Sequence, residues 1–169
     1  MTQAYVSLGS NVRAEANICS CTQYLKSRFQ RVISSDVYQT PAIGFQGDPF
    51  LNSVIGFETS LEINDLKSYL RDLEAIHGRV RTADKFTPRT LDVDLLLYGN
   101  TVLDEADNLP HRDILKYAFV LYPLAEIAPK KQHPVLKQNF SQLAKHSTLD
   151  AAALQAVLLD CSKYQHHPR

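Results

Sequence analysis

The sequence lacks the features that mark several large classes of protein. Lysine and arginine together number 18, and aspartate and glutamate also number 18, so the formal net charge is zero. Neutrality excludes a whole-surface attraction to nucleic acid or anionic lipid, and any electrostatic work must come from local clusters. Three cysteines (Cys19, Cys21 and Cys161) occur without a CxxC pair. That count argues against a disulfide framework or a zinc site and predicts reduced thiols.

Targeting signals and familiar nucleotide-binding motifs are also missing. No apolar run approaches the roughly 20 residues that span a bilayer, so we expect no membrane association. The first residues, MTQAYVSLGSNV, lack a basic segment followed by a long apolar stretch, so we expect no signal peptide and a cytoplasmic location. Neither GxxxxGK[ST] nor GxGxxG occurs, so an ATP site in this chain would be of another kind.

The pattern of apolar residues predicts one α+β domain over residues 1–169. Two β-α-β units predict a ferredoxin-like antiparallel sheet with helices on one face. Strands are predicted at 4–8, 32–38, 50–59 and 93–98, with a return strand at 101–103. Helices are predicted around 18–29 and 64–77, and loops at 40–49 and 79–90. Segment 119–127 is predicted to start extended and turn helical near Leu124, and short helices are predicted at 141–146 and 149–159.

The segment from Gly78 to Asp94 carries the strongest chemical signal. Four cations fall within eleven residues and precede Asp92 and Asp94, which are spaced i, i+2 at the start of an apolar run. Residues at that spacing on a strand point to the same face, and two adjacent carboxylates repel unless a cation lies between them. Oxygen ligands of this kind suit Mg²⁺, and arginine binds phosphate oxygens in pairs. The four cations are Arg79, Arg81, Lys85 and Arg89.

Each part of this signal also has a simpler interpretation. A run of cations in a loop is usually a solvated surface, and an Asp-x-Asp pair can be a turn or a helix cap. The pair here enters the apolar run VDLLLYG, where unpartnered charge would be costly. The pattern therefore favours a magnesium–phosphate site.

Several segments, in order, resemble the 6-hydroxymethyl-7,8-dihydropterin pyrophosphokinase family of folate biosynthesis. The most specific is KFTPRTLDVDLLLYGN, and the resemblance covers the chain to about Pro134. The others are AYVSLGSN, VYQTPAIG, DPFLNSVIGFETSL, LEAIHGRVR, LPHRDI and AFVLYPLAEIAP. The resemblance implies a three-layer α/β/α fold and transfer of pyrophosphate from ATP to the pterin hydroxymethyl group, with release of AMP. It also implies two Mg²⁺ ions, small-molecule substrates and a monomer, with no nucleic acid or membrane partner.

The resemblance also assigns roles to individual residues. Asp92 and Asp94 match the pair that binds both Mg²⁺ ions, and Arg79, Arg81 and Arg89 match positions that hold phosphates or shape the catalytic loop. Glu74, Lys85 and His111 match positions on the nucleotide side. The implied pterin pocket comprises backbone contacts from Thr40, Ala42 and Ile43, the amide of Asn52, and the rings of Phe50, Phe86 and Phe119. A flat heterocycle with apolar faces and polar edges suits such a pocket.

Three positions depart from the family pattern. Thr87 stands where the family usually has Gly or Ala, and Lys85 stands where some members have Arg. Tyr117 replaces an arginine that many members place two residues before the aromatic at Phe119. These changes leave open a weakened paralogue that binds pterin or nucleotide without chemistry. A nucleic-acid module is the weaker alternative because the chain is neutral.

Overall fold

Six strands form one antiparallel sheet in the described part of the chain. The computed structural model describes residues 1–42, 46–79, 90–104 and 106–164. The strand order is β5-β1-β4-β3-β6, and β2 also pairs with β4. The strands are Thr2–Ser10 (β1), Gln30–Ser34 (β2), Val37–Thr40 (β3), Phe50–Thr59 (β4), Asp92–Tyr98 (β5) and Gln155–Val157 (β6).

Helices cover both faces of this sheet. They are Ala14–Arg28 (α1), Ile63–Ile76 (α2), Asp113–Lys116 (α3), Ala118–Ile127 (α4) and Phe140–Lys145 (α5), followed by 3₁₀ turns at Ala151–Ala153 and Cys161–Tyr164. None of these helices combines the length and hydrophobicity that crossing a bilayer requires, within the described ranges.

Alternation along the central strand divides the core into two layers. Ala4, Val6 and Leu8 of β1 pack with residues of α1 and α2 in one buried cluster. Tyr5 packs with residues of α4 and α5 in a second buried cluster. Successive residues of a strand point to opposite faces, so β1 contributes to both layers. The three-layer α/β/α fold implied by the resemblance is confirmed. The prediction from element order that helices lie on one face is wrong, because the apolar α4 and α5 bury the second face of the sheet.

Four predicted elements differ from the structure. The predicted strand 32–38 is two strands, because the Ser35 hydroxyl accepts the Val54 N–H at 2.9 Å and interrupts the ladder. Segment 119–127 is helical from Ala118 and has no extended start. The predicted helix 149–159 is wrong, because residues 155–157 pair with the outer edge of β3. Position 103 makes an isolated bridge to Leu109 in place of the predicted return strand.

The cysteine prediction is also wrong. Cys19 in α1 and Cys161 near the C-terminus form a disulfide, with Cα atoms 5.3 Å apart and a sequence separation of 142. Cys21 is free and buried. An odd count without close spacing gives no hint of a pair that meets only in the tertiary fold.

Candidate active site

One row across the sheet connects the acidic pair with the predicted pterin amide. Asp92 of β5 lies opposite Gly9 of β1, and Gly9 lies opposite Asn52 of β4. Directly opposed residues share a face, so all three positions face the α4 layer. Adjacent strands lie about 4.8 Å apart, which puts Asp92 and Asn52 about 10 Å apart at the backbone.

Gly9 leaves the middle of this row open. A Cβ atom at position 9 would lie 3.4 Å from the Asn52 Oδ1 atom. Gly9 lies one residue beyond the predicted strand 4–8, but in the structure it lies inside β1 and pairs with strands on both sides. The sheet surface between Asp92 and Asn52 therefore carries no side chain at position 9.

The acidic end of the row carries excess negative charge. Asp94 lies opposite Ser7 of β1, on the same face as Asp92, as the i, i+2 spacing predicts. The pKa of Asp94 is raised from 3.8 to about 8, first because burial disfavours the carboxylate and then because neighbouring carboxylates repel it. Those neighbours are, in order of effect, Asp92, Asp113 and Glu74. A divalent cation would relieve this repulsion more fully than one proton does.

A buried carboxylate lies behind the acidic pair. Glu74 of α2 has a side chain only 4% exposed, and its Oε1 accepts the backbone N–H of Val93 at 2.9 Å. The same Oε1 accepts from Arg79 Nη1 at 2.8 Å, and Arg79 Nη1 also donates to Asp92 Oδ1. Glu74 thus fixes both the strand start and the arginine that touches Asp92. Its predicted contact with nucleotide stays a prediction.

His111 lies beside Asp94 in one defined tautomer. One ligand atom from each of Asp94, His111 and Asp113 lies within 4.8 Å of the other two. The backbone N–H of Asp113 donates to His111 Nδ1 at 3.1 Å, and burial lowers the pKa of His111. The neutral ring therefore carries its proton on Nε2, where it can donate to an acceptor such as a phosphate oxygen.

The chain just before β5 is held by two side chains that sequence reasoning missed. Asn17 of α1 donates its Nδ2 to the carbonyl oxygen of Thr90 at 2.8 Å, and the Ser10 hydroxyl donates to the same oxygen. These bonds fix the backbone two residues before Asp92. A polar residue in a helix gives little sign of a partner 73 positions away, so this anchor had no sequence signal.

The opposite end of the row holds the predicted pterin residues. Asn52 is 5% exposed, and its Nδ2 donates to Thr40 Oγ1 at 2.8 Å. Thr40 lies opposite Phe50 in the β3–β4 ladder, so both share the Asn52 face. Ala42, half-buried, follows two residues after Thr40. A buried amide beside a hydroxyl and an aromatic ring offers polar edges next to an apolar face.

Two aromatic residues stand at the start of α4 on that face. The rings of Tyr117 and Phe119 stack with centroids 4.9 Å apart and an interplanar angle of 17°. Lys116 Nζ lies 5.1 Å from the centroid of the Tyr117 ring. Phe119 therefore has a fixed aromatic partner, and a cation remains next to the position where many family members have arginine.

The remaining predicted site residues lie outside the described ranges. They are Ile43, Arg81, Lys85, Phe86 and Arg89, and the departure at Thr87 lies there too. Asp113, in contrast, was not predicted as a site residue. Its position two residues after His111 was the available signal.

Known proteins resemble this chain in sequence. A family model described as 7,8-dihydro-6-hydroxymethylpterin-pyrophosphokinase (HPPK) matches residues 5–129. The 2-amino-4-hydroxy-6-hydroxymethyldihydropteridine pyrophosphokinase of Methylorubrum extorquens is 40% identical over 134 residues, covering 76% of this chain and 84% of that protein. The protein of the same name from Aquifex aeolicus is 32% identical over 152 residues, covering 88% of this chain and 94% of that protein.

A solved structure shows the same fold at low identity. The crystal structure of wild-type Plasmodium falciparum HPPK-DHPS with SDX-DHP superposes with a TM-score of 0.63 and 13% identity. The match covers 86% of this chain and 43% of that chain. This chain therefore spans less than half the length of that solved chain, and the likeness establishes the fold alone.

Proposed function

This chain belongs to the 7,8-dihydro-6-hydroxymethylpterin-pyrophosphokinase family, and we propose on that premise that it transfers pyrophosphate from ATP to 6-hydroxymethyl-7,8-dihydropterin. The hydroxymethyl oxygen bonds to the β-phosphorus of ATP, and the bond from that phosphorus to the oxygen bridging to the α-phosphorus breaks, which releases AMP. The observation that carries the proposal is the row Asp92, Gly9, Asn52. In this row, Asp92 would serve the cation and Asn52 the heterocycle, on one face of the sheet with no side chain at Gly9 between them.

The acidic end fits magnesium. Asp92 and Asp94 offer carboxylate oxygens on one face, and the pKa of Asp94 is raised first by burial and then by the neighbouring carboxylates. Mg²⁺ prefers one or two carboxylates together with water and phosphate oxygens. We propose that these two aspartates hold two Mg²⁺ ions, which when bound neutralise and orient the triphosphate of ATP.

The chain's own residues would complete the nucleotide side. Arg79 donates hydrogen bonds to both Glu74 and Asp92. Glu74 thereby fixes Arg79, and Arg79 keeps the Asp92 carboxylate oriented before substrates bind. The Nε2 proton of His111 provides a neutral hydrogen-bond donor beside Asp94. Positioned donors next to developing charge stabilise phosphoryl-type transition states more than the ground state.

The amide end would recognise the pterin. Thr40 and Asn52 form one hydrogen-bonded pair, so the amide is oriented before binding. Phe50 on the same face, together with the stacked Phe119, provides apolar surface for the flat ring. The two phenylalanine rings would exclude water from the faces of the pterin, and the Asn52 amide would hydrogen-bond to its polar edge.

We extend the proposal to the setting in which the enzyme works. It acts on small molecules as a monomer in the cytoplasm, without a nucleic-acid or membrane partner. Balanced charge supports the absence of a nucleic-acid or anionic-membrane partner, because 18 cations match 18 anions.

The test is AMP formation by the purified chain with ATP, Mg²⁺ and 6-hydroxymethyl-7,8-dihydropterin. We expect pterin-dependent AMP that is abolished by EDTA. Asp94→Asn should lower kcat by about 10²–10³-fold, because it removes a charged ligand of the proposed Mg²⁺ ions that neutralise the transferred group. Asp72→Asn, at an exposed position of α2, is the matched control and should leave the rate unchanged.

The alternative is a binding protein that has lost its chemistry, which the tyrosine at position 117 motivates. It predicts pterin binding by calorimetry with no AMP in any condition. An unaffected rate in Asp94→Asn would instead remove the proposed metal role while leaving the activity.

A further inference from the structure

The C-terminal segment is attached to the domain at two separate places. Residues 155–157 form β6 on the outer edge of β3, with Val37, Tyr38 and Gln39 as partners. Four residues later, Cys161 is bonded to Cys19 of α1. The backbone N–H of Asp160 also donates to Glu15 Oε1 of α1 at 3.2 Å.

Noncovalent packing of this segment is partial. None of the described residues 151–164 is buried and Leu158 is fully exposed, but Leu159 is partly buried against the core cluster that contains residues of α1. The ladder to β3 consists of three residue pairs. A strand this short on an exposed edge is marginal without further support. The disulfide adds a covalent bond to these limited contacts and ties the segment to α1.

The strand that β6 covers belongs to the site. Tyr38 of β3 lies opposite Ala156 on one side and opposite Asn52 on the other. Two residues further on, the Thr40 hydroxyl accepts the hydrogen bond from Asn52. The row that begins at Asp92 thus continues through Asn52 and Tyr38 to the C-terminal strand. Release of β6 would turn β3 into an unsupported edge beside Asn52.

We propose that the Cys19–Cys161 pair is a thiol–disulfide exchange site for dithiol reductants, and that its reduction releases β6 and weakens pterin binding. The binding part rests on the proposed function. The exchange part depends only on the fold. Disulfides in proteins of reducing compartments are usually reversible, which fits a regulatory bond in a cytoplasmic enzyme.

The geometry defines the order of the chemical steps. Cys161 is exposed, whereas Cys19 is 4% exposed, so an external thiolate reaches the sulfur of Cys161. A mixed disulfide forms there, and Cys19 leaves as a thiolate that takes up a proton. The second thiol of the reductant then displaces Cys161, so the dithiol is oxidised to a disulfide and two electrons reduce the protein.

Cys21 does not take part in this exchange. It is fully buried, and burial raises the pKa of its thiol far above the ordinary range. A buried neutral thiol is a poor nucleophile. Cys21→Ala is therefore a matched control that removes one sulfur and leaves the exchange site intact.

The first test compares oxidised protein with protein reduced by dithiothreitol. We expect reduction to lower Tm by about 5–15 °C, because it opens a loop of 142 residues in a chain of this size. Amide exchange at residues 155–157 and 37–39 should become faster. With or without dithiothreitol, Cys161→Ser should show the Tm and the amide exchange of the reduced wild type. Cys21→Ala should respond to dithiothreitol as the wild type does. Thiol titration that finds no disulfide after mild oxidation, or a Tm and an exchange pattern insensitive to the reductant, would overturn the exchange site.

The second test measures steady-state kinetics in both redox states. We expect the KM for the pterin to rise by about 3–10-fold on reduction with kcat unchanged, as when the competent fraction falls by that factor. Cys161→Ser should show the raised KM in both states. An unchanged KM despite faster exchange at β6 would overturn the link to the site. Absence of AMP in both states would count against the proposed function, while Tm and amide exchange still decide on the exchange site.

Discussion

Glu74 offers a sharp test of how the site is built, because its two possible roles predict different outcomes. If it positions other groups, as its contacts with Val93 and Arg79 indicate, its loss affects folding and kcat. If it binds nucleotide directly, as the family resemblance implies, its loss affects the KM for ATP. The substitutions Glu74→Gln and Glu74→Ala separate these roles.

The expected magnitudes follow from the contacts. Glu74→Gln keeps an oxygen that can accept the Val93 N–H but loses the charge that faces Arg79, and should cost about 1–2 kcal/mol. Glu74→Ala leaves the Val93 N–H unpaired and opens a cavity at a side chain 4% exposed, which should cost about 3–4 kcal/mol. At about 2–4 °C per kcal/mol, the alanine variant should lose about 6–16 °C in Tm.

Thermal unfolding and steady-state kinetics on the same preparations check this reasoning. We expect kcat to fall by about 10-fold or more in Glu74→Gln, because Arg79 and Asp92 lose their fixed orientation, with a KM for ATP within about twofold of wild type. Asp72→Asn on the exposed face of α2 is the control for removing one α2 carboxylate. A raised KM for ATP with unchanged Tm and kcat would refute the positioning role.

Three further predictions concern the row across the sheet. Gly9→Val should raise the KM for the pterin about 10-fold or more with Tm within a few degrees of wild type, because its branches fill the space beside Asn52; an unchanged KM would exclude Gly9 from the pocket. Asn52→Ala should cost about 1–2 kcal/mol in chemical denaturation because the Thr40 hydroxyl loses its donor, and calorimetry should show weakened pterin binding but unchanged ATP binding. The folded-state pKa of Asp94, about 8, lies above the ordinary value of 3.8. The protonated Asp94 side chain therefore contributes to stability fully below pH 3.8, and this contribution is lost as pH rises from 3.8 through about 8. The Tm of metal-free protein should therefore fall over that range, Mg²⁺ with ATP should reduce the fall, and a metal-free Tm in Asp94→Asn that falls equally would contradict the assignment.

The parts of the site that follow from local pattern could be predicted. Asp92 and Asp94 share a face because strand side chains alternate, and the apolar run after them indicated a buried strand. Asn52 stood out as an amide inside an apolar strand, and the structure gives it a buried partner. These inferences need no knowledge of which strands are neighbours.

The parts that depend on strand order and on distant contacts could not be predicted. Asn17 anchors a carbonyl 73 positions away, and Cys19 pairs with a cysteine 142 positions away. Residues 149–159 contain apolar positions that fit a helix, yet the open edge of β3 stabilises a strand there. Tertiary context outweighs local propensity in such short segments.

Register explains why the two ends of the site face each other. The acidic pair and the amide belong to strands that do not touch, and β1 lies between them. The backbone of β1 fixes a separation of about 10 Å, and a glycine at the point of crossing leaves that distance free of side chain. A reaction that joins a metal-bound polyphosphate to a heterocycle needs both held on one surface with room for the transferred group between them. The central strand β1 meets this need because it separates the two ends and has no side chain at Gly9. A one-residue shift of β1 against β4 would put Leu8 or Ser10 opposite Asn52, and the side chain there would fill the space between the two ends.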